Sequence, residues 1–145
     1  MKWYQKYRIQ LPSIISYLLV VLFVYAATSK LLGYQKFEVQ LIQSPLLSSY
    51  AKVLVWLIPT LELGIAILLV SKYQLLALQL SLGLITVFTI YIWYMLNYSP
   101  HIPCSCGGVI SSLNWTQHMI FNLWWIFLAI IAMLIKTRQK HTVQC

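Results

Sequence analysis

Four long apolar runs divide the chain, and polar residues are concentrated in the segments between them. The runs cover residues 14–32, 53–70, 75–96 and 115–135. An α-helix rises about 1.5 Å per residue, so roughly 20 apolar residues cross a hydrocarbon core about 30 Å thick. Each run is therefore predicted to be a membrane-spanning helix.

The connections between the runs differ in length, which constrains the arrangement of the helices. Only residues 71–74 separate the second run from the third, and the longer connections cover residues 33–52 and 97–114. A link of four residues requires neighbouring, antiparallel helices. The pattern thus predicts an all-α polytopic membrane protein, in which residues 1–145 form a single antiparallel bundle of four transmembrane helices.

Composition supports a lipid environment. The 145 residues are 61% hydrophobic and only 8% charged, and the mean hydropathy is +0.78. A soluble domain carries about 25% charged residues. The net charge of +8 would suit nucleic acid, but the basic residues lie between or beside the apolar runs rather than along one face. We therefore expect a lipid partner and no nucleic acid.

The basic residues also predict an orientation. Seven lie at the termini and in the short link: Lys2, Lys6, Arg8, Lys72, Lys136, Arg138 and Lys140. The opposite side has three: Lys30, Lys36 and Lys52. Because cytoplasmic segments are enriched in Lys and Arg, both termini are predicted to be cytoplasmic, and the loop of residues 97–114 periplasmic or extracellular.

Two cysteines in that outer loop are the leading candidates for chemistry. Cys104 and Cys106 are one residue apart, preceded by Pro103 and followed by Gly107 and Gly108. Outside the cytosol a disulfide can persist, and one between residues i and i+2 closes a small, strained ring. Strained, exposed disulfides are the labile ones. The pair is therefore predicted to be redox-active, whereas Cys145, on the opposite side, is predicted to have no role.

Two other roles for the cysteine pair are chemically possible. An inert bridge this short closes almost no chain entropy and would stabilise little. A metal site with His101 and His118 is the other alternative, but Cys-x-Cys is tighter than the usual two-to-four-residue gap of zinc sites. Thiol–disulfide exchange is favoured over both.

The start of the fourth helix carries a second candidate, His118. Asn114 followed by Gln117 resembles a capping box, which places His118 near the first turn, close in sequence to the cysteines. There it could serve as a neutral base for a cysteine or as a donor to a quinone oxygen; a hydrogen-bonded interfacial histidine is the alternative. Asn122 lies four residues further on and shares the helix face of His118. Lipid offers no hydrogen-bond partner to either side chain. Both are predicted to point into the bundle.

Glu62 is the third candidate, because a carboxylate near the middle of a membrane span is costly. Lys30 is its most plausible partner. Two interpretations remain open: a structural ion pair, or a residue that handles protons or binds a ligand.

Aromatic residues cluster near the outer end of the third helix. Tyr91, Trp93, Tyr94 and Tyr98, with Trp115 opposite, form a typical interfacial belt. The alternative is a stacking wall for a quinone-like ring, with Tyr94 grouped with Glu62 and Asn122 in a ligand pocket.

These features together resemble the MauE/DoxX-like family of small four-helix membrane proteins. The resemblance follows the chain in order, through residues 26–31, 37–47 and 61–63 to Cys104-Ser-Cys106-Gly107. It implies a redox-associated protein of the bacterial inner membrane that acts with extracytoplasmic thioredoxin-like or secreted cysteine-containing proteins. The predicted arrangement of four helices with outer-facing cysteines is also similar to that of vitamin K epoxide reductases. The Cys-x-x-Cys motif and second cysteine pair expected in those enzymes are absent from this chain.

Three functions follow from these observations. The first is thiol–disulfide exchange, with electrons passed to a quinone or exchanged wholly on the outer side, since no inner cysteine pair is present. The second is a non-catalytic subunit or assembly factor whose loop docks a larger membrane complex. A transporter that depends on Glu62 is the third.

Overall fold

The computed structural model describes residues 2–98 and 114–144, with side chains described for residues 10–98 and 114–139. Every regular element in this part of the chain is helical. The helices are α1 (Lys2–Leu32), α2 (Tyr34–Gln43), α3 (Ala51–Val70), α4 (Gln74–Tyr98) and α5 (Trp115–Gln144), and a 3₁₀ turn at Ser48–Tyr50 precedes α3. The predicted all-α fold is confirmed.

Four of these helices are long and apolar enough to span a membrane. The candidate spans are Gln10–Leu32, Ser48–Val70, Gln74–Tyr98 and Trp115–Gln139. They contain the four predicted runs, and the helices extend beyond them. This extension is physically reasonable, because each further helical residue satisfies a backbone hydrogen bond that lipid cannot provide. The chain is a multi-pass membrane protein.

The four spanning helices form a closed ring in the order α1, α3, α4, α5. We call the end where α4 stops and α5 starts the loop end, and the end that carries residues 71–73 the link end. At the link end, Gln74 Nε2 donates a hydrogen bond to Ser16 Oγ at 2.8 Å, which ties the start of α4 to α1.

The link half of the bundle contains its main apolar core. Leu19, Leu78, Ala129 and Ala132 are fully buried there. The alanines matter because small side chains let helix backbones approach closely where lipid supplies no hydrophobic driving force. The outer surface is apolar as well: Val21, Ile67 and Val87 are 67%, 73% and 62% exposed. Such a surface is suited to lipid contact.

The connection of residues 33–52 contains a helix, α2, that the sequence-based prediction missed. Phe37 and Leu41, four residues apart, bury one face of α2 against Ala51, Val55 and Ile58 of α3. A spacing of four residues is the ordinary signal of an amphipathic helix. Because α2 is short, only this packing reveals that it belongs to the bundle wall.

Candidate functional site

A buried ion pair joins α1 to α3. Lys30 Nζ donates a hydrogen bond to Glu62 Oε1 at 2.6 Å, and the two residues are 8% and 2% exposed. The predicted pairing is therefore confirmed. The second oxygen, Glu62 Oε2, is buried and has no hydrogen-bond partner among the described residues. The pair is thus electrically balanced but leaves one acceptor unsatisfied.

Aromatic rings surround the lysine. Its Nζ lies 5.9 Å from the centre of the Phe37 ring and 5.7 Å from that of Phe88. A cation within about 6 Å of an aromatic face is attracted by the ring quadrupole. These contacts offset part of the desolvation cost of Lys30. They also bring α2, through Phe37, and α4, through Phe88, next to the ion pair.

A cavity of about 130 Å³ adjoins the ion pair in the loop half of the bundle. Its polar lining comes from Lys30, Gln40, Glu62, His118 and Asn122. The remaining lining is apolar and rich in rings, which belong to Phe23, Phe37, Phe88, Tyr91, Trp115 and Phe121. All five α-helices contribute, so the cavity exists only in the folded bundle.

Helix α5 supplies the polar wall opposite the ion pair. Gln117 Oε1 accepts a hydrogen bond from the Asn114 backbone N–H at 3.0 Å, and this capping contact starts the helix at Trp115 as predicted. His118 and Asn122 follow one turn apart, and both line the cavity. Asn122 is 8% exposed. The prediction that these two side chains point into the bundle is confirmed.

The predicted site residues are thus only partly brought together. Glu62, His118 and Asn122 line one cavity. Tyr94 is not among the lining residues; its ring stacks on Tyr98 with the centres 5.4 Å apart. At 3.6 residues per turn, Tyr94 lies about 120° around α4 from Phe88, whereas Tyr91 is on the lined side.

The cysteines lie outside the described residues. This applies to Cys104 and Cys106, as well as to His101 and Cys145. Within residues 2–98 and 114–144, no three His, Cys, Asp or Glu side chains converge on a possible metal position.

The lining residues that the sequence did not single out include Phe37, Gln40 and Phe88. Phe37 and Gln40 belong to α2, which lies in a segment that the sequence pattern predicts only as a connection between spans. Phe88 is one of many apolar residues in α4, and its sequence context does not distinguish it from residues that face lipid. Of these residues, only Phe37 could have been found from the sequence, because its spacing of four residues from Leu41 is typical of an amphipathic helix.

Comparison with known proteins gives one family match. The family model described as "Methylamine utilisation protein MauE" matches residues 8–135. No curated protein and no solved structure matched the chain.

Proposed function

Because this chain belongs to the MauE family, we propose that it is a membrane thiol–disulfide oxidoreductase. In this proposal Cys104 and Cys106 exchange disulfides with an extracytoplasmic thioredoxin-like or secreted protein. Both termini are then cytoplasmic, which places the cysteine loop on the side where a disulfide persists.

The observation that carries the proposal is the position of the cavity. Its polar lining lies in the loop half of the bundle, where α4 ends at Tyr98 and α5 begins at Trp115. The segment with both cysteines connects these two helix ends. A buried ion pair, a histidine and an amide therefore lie in the half of the membrane domain from which the cysteine segment leaves.

The exchange follows ordinary thiol chemistry. A thiolate of the partner attacks one sulfur of the Cys104–Cys106 disulfide, which forms a mixed disulfide and frees the other cysteine as a thiolate. The partner's second thiolate then attacks the partner's own sulfur in the mixed disulfide and releases the chain with both cysteines reduced. Two electrons pass from the partner, which gains a disulfide, to this chain.

Single cysteine variants test the proposal. We expect Cys104→Ser and Cys106→Ser each to abolish oxidation of a secreted dithiol substrate in intact cells, because neither can form the internal bridge. One of them should also trap a covalent adduct, visible as a reductant-sensitive band on a non-reducing gel. Cys145→Ser is the matched control and should retain wild-type activity. Wild-type activity in both loop variants would refute the proposal.

A non-catalytic subunit of a larger membrane complex is the second candidate. It is favoured by α5, because only 17% of an 18-residue apolar window in its span is buried in the bundle, against 33% to 39% for the windows of the other spans. A partner helix could cover that face. Co-purification with a stable membrane partner that survives replacement of Cys104 and Cys106 would support this function over exchange.

A further inference from the structure

We propose that the cavity between the Lys30–Glu62 pair and the His118–Asn122 face binds the head group of a membrane quinone. The quinone would accept the electrons that the cysteine pair receives, so the inference rests on the proposed function for its electron donor. The binding site itself consists wholly of described residues.

The volume of the cavity suits a single ring. At about 130 Å³ it is close to the roughly 150 Å³ apolar cavity that holds benzene in an engineered protein. Phe88, Trp115 and Phe121 contribute aromatic surface to its walls. Aromatic rings pack against one another in stacked or edge-on arrangements, so a planar six-membered ring is a better match than an aliphatic chain of equal volume.

The polar groups match both redox forms of such a ring. A quinone offers two carbonyl acceptors, and Lys30, His118 and Asn122 are side chains that can donate to them. A hydroquinone offers two hydroxyl donors, and Glu62 Oε2, which has no hydrogen-bond partner among the described residues, is a buried acceptor beside the cavity. A buried acceptor without a donor is destabilising. A ligand hydroxyl would remove that destabilisation.

The position of the cavity favours a ligand that arrives from the membrane. Its lining comes from within all four candidate spans, including Phe23 of α1, Glu62 of α3, Ile85 of α4 and Asn122 of α5. A carrier dissolved in lipid reaches this depth without crossing a polar surface. Membrane quinones combine this solubility with a redox-active ring.

The electrons and protons balance. The reduced pair, Cys104 and Cys106, loses two electrons and two protons as its disulfide re-forms. The quinone gains two electrons and two protons and becomes a hydroquinone. The chain is then ready for another partner dithiol, and no second cysteine pair on the cytoplasmic side is needed.

Binding is tested with the full chain in nanodiscs made from quinone-free lipid, titrated with ubiquinone-1 while tryptophan fluorescence is followed. We expect saturable quenching. The saturable part should disappear in Trp115→Phe, because Trp115 lines the cavity. It should persist in Trp93→Phe, because Trp93 is 50% exposed on the outer surface. A loss that is equal in both variants would overturn the assignment to the cavity.

Polar variants then test the chemistry of the site. The double variant Lys30→Met/Glu62→Met and the single variant Asn122→Leu should weaken ubiquinone-1 binding at least tenfold and threefold, respectively. Ser16→Ala, a buried polar change at the link end, should leave binding unchanged. Two variants are used so that poor folding of one does not end the test. Wild-type affinity in a folded site variant, or no saturable binding by the wild-type chain, would mean that only water or lipid fills the cavity.

The two proposals can fail separately. If the wild-type chain binds ubiquinone-1 but does not oxidise a partner dithiol, the proposed exchange function is refuted and the proposed quinone site stands. If the chain oxidises the dithiol yet shows no saturable quinone binding, the proposed quinone site is refuted and the proposed exchange function stands.

Discussion

Lys30 and Glu62 are 32 positions apart in the chain, yet Lys30 Nζ and Glu62 Oε1 are 2.6 Å apart in the interior of a helical membrane bundle. The contact joins α1 to α3 at the boundary between a packed apolar core and a polar-lined cavity. One bond therefore contributes both to the packing of two helices and to the electrostatics of the candidate site.

Removing one partner of this ion pair should lower the stability of the bundle more than removing both partners together. We expect Lys30→Met or Glu62→Met alone to destabilise the bundle by about 3–5 kcal/mol, because each leaves an uncompensated buried charge. The double variant Lys30→Met/Glu62→Met should be close to wild type. Unfolding midpoints in a mild detergent would measure this as a double-mutant cycle. Additive losses in the double variant would contradict a direct interaction.

Packing of α2 on α3 can be tested with two adjacent residues. Leu41 is 5% exposed and belongs to the cluster between these helices, whereas Ile42 is 52% exposed. Leu41→Ala should lower the free energy of unfolding by about 2–5 kcal/mol, and Ile42→Ala should change it by less than about 0.5 kcal/mol. Unfolding in detergent measures both. Equal effects would mean that α2 does not pack through the Leu41 face.

Close approach of α5 to the bundle should depend on its small residues. Ala132 is fully buried, so Ala132→Leu forces extra carbons into a packed contact and should cost about 1–3 kcal/mol. Val87→Leu enlarges a residue that is 62% exposed on the outer surface of the bundle and should be nearly neutral. Thermal unfolding of the purified variants distinguishes these outcomes, and a neutral Ala132→Leu would argue against tight packing at that position.

The orientation in the membrane gives a fourth prediction. In intact cells, a membrane-impermeant maleimide should label Cys104 and Cys106 only after reduction, and Cys145 only after permeabilisation, because the excess of Lys and Arg is expected on the cytoplasmic side. Cys145→Ser and the double variant Cys104→Ser/Cys106→Ser assign the signals. Labelling of Cys145 in intact cells would reverse the orientation, and labelling of the loop pair without a reductant would show that it is not bridged.

Much of the site was predictable because its residues are unusual in their surroundings. Glu62 is a carboxylate within an apolar run, and Lys30 is a nearby basic residue on another run, so a pairing follows from the cost of an isolated charge in lipid. The shared orientation of His118 and Asn122 follows from their spacing of four residues and from the capping pattern of Asn114 and Gln117. These inferences needed only local periodicity and the energetics of burial.

The sequence by itself determined the helical class, the number of membrane spans, the start of α5 and the polar residues that must avoid lipid. The tertiary structure decided which apolar rings surround those polar residues. It selected Phe37, Phe88 and Tyr91 as cavity lining, left Tyr94 stacked on Tyr98, and placed α2 in the wall of the site. The physical reason is that lipid and protein interior are both apolar. Hydrophobicity therefore identifies a spanning helix without showing which of its faces contacts another helix.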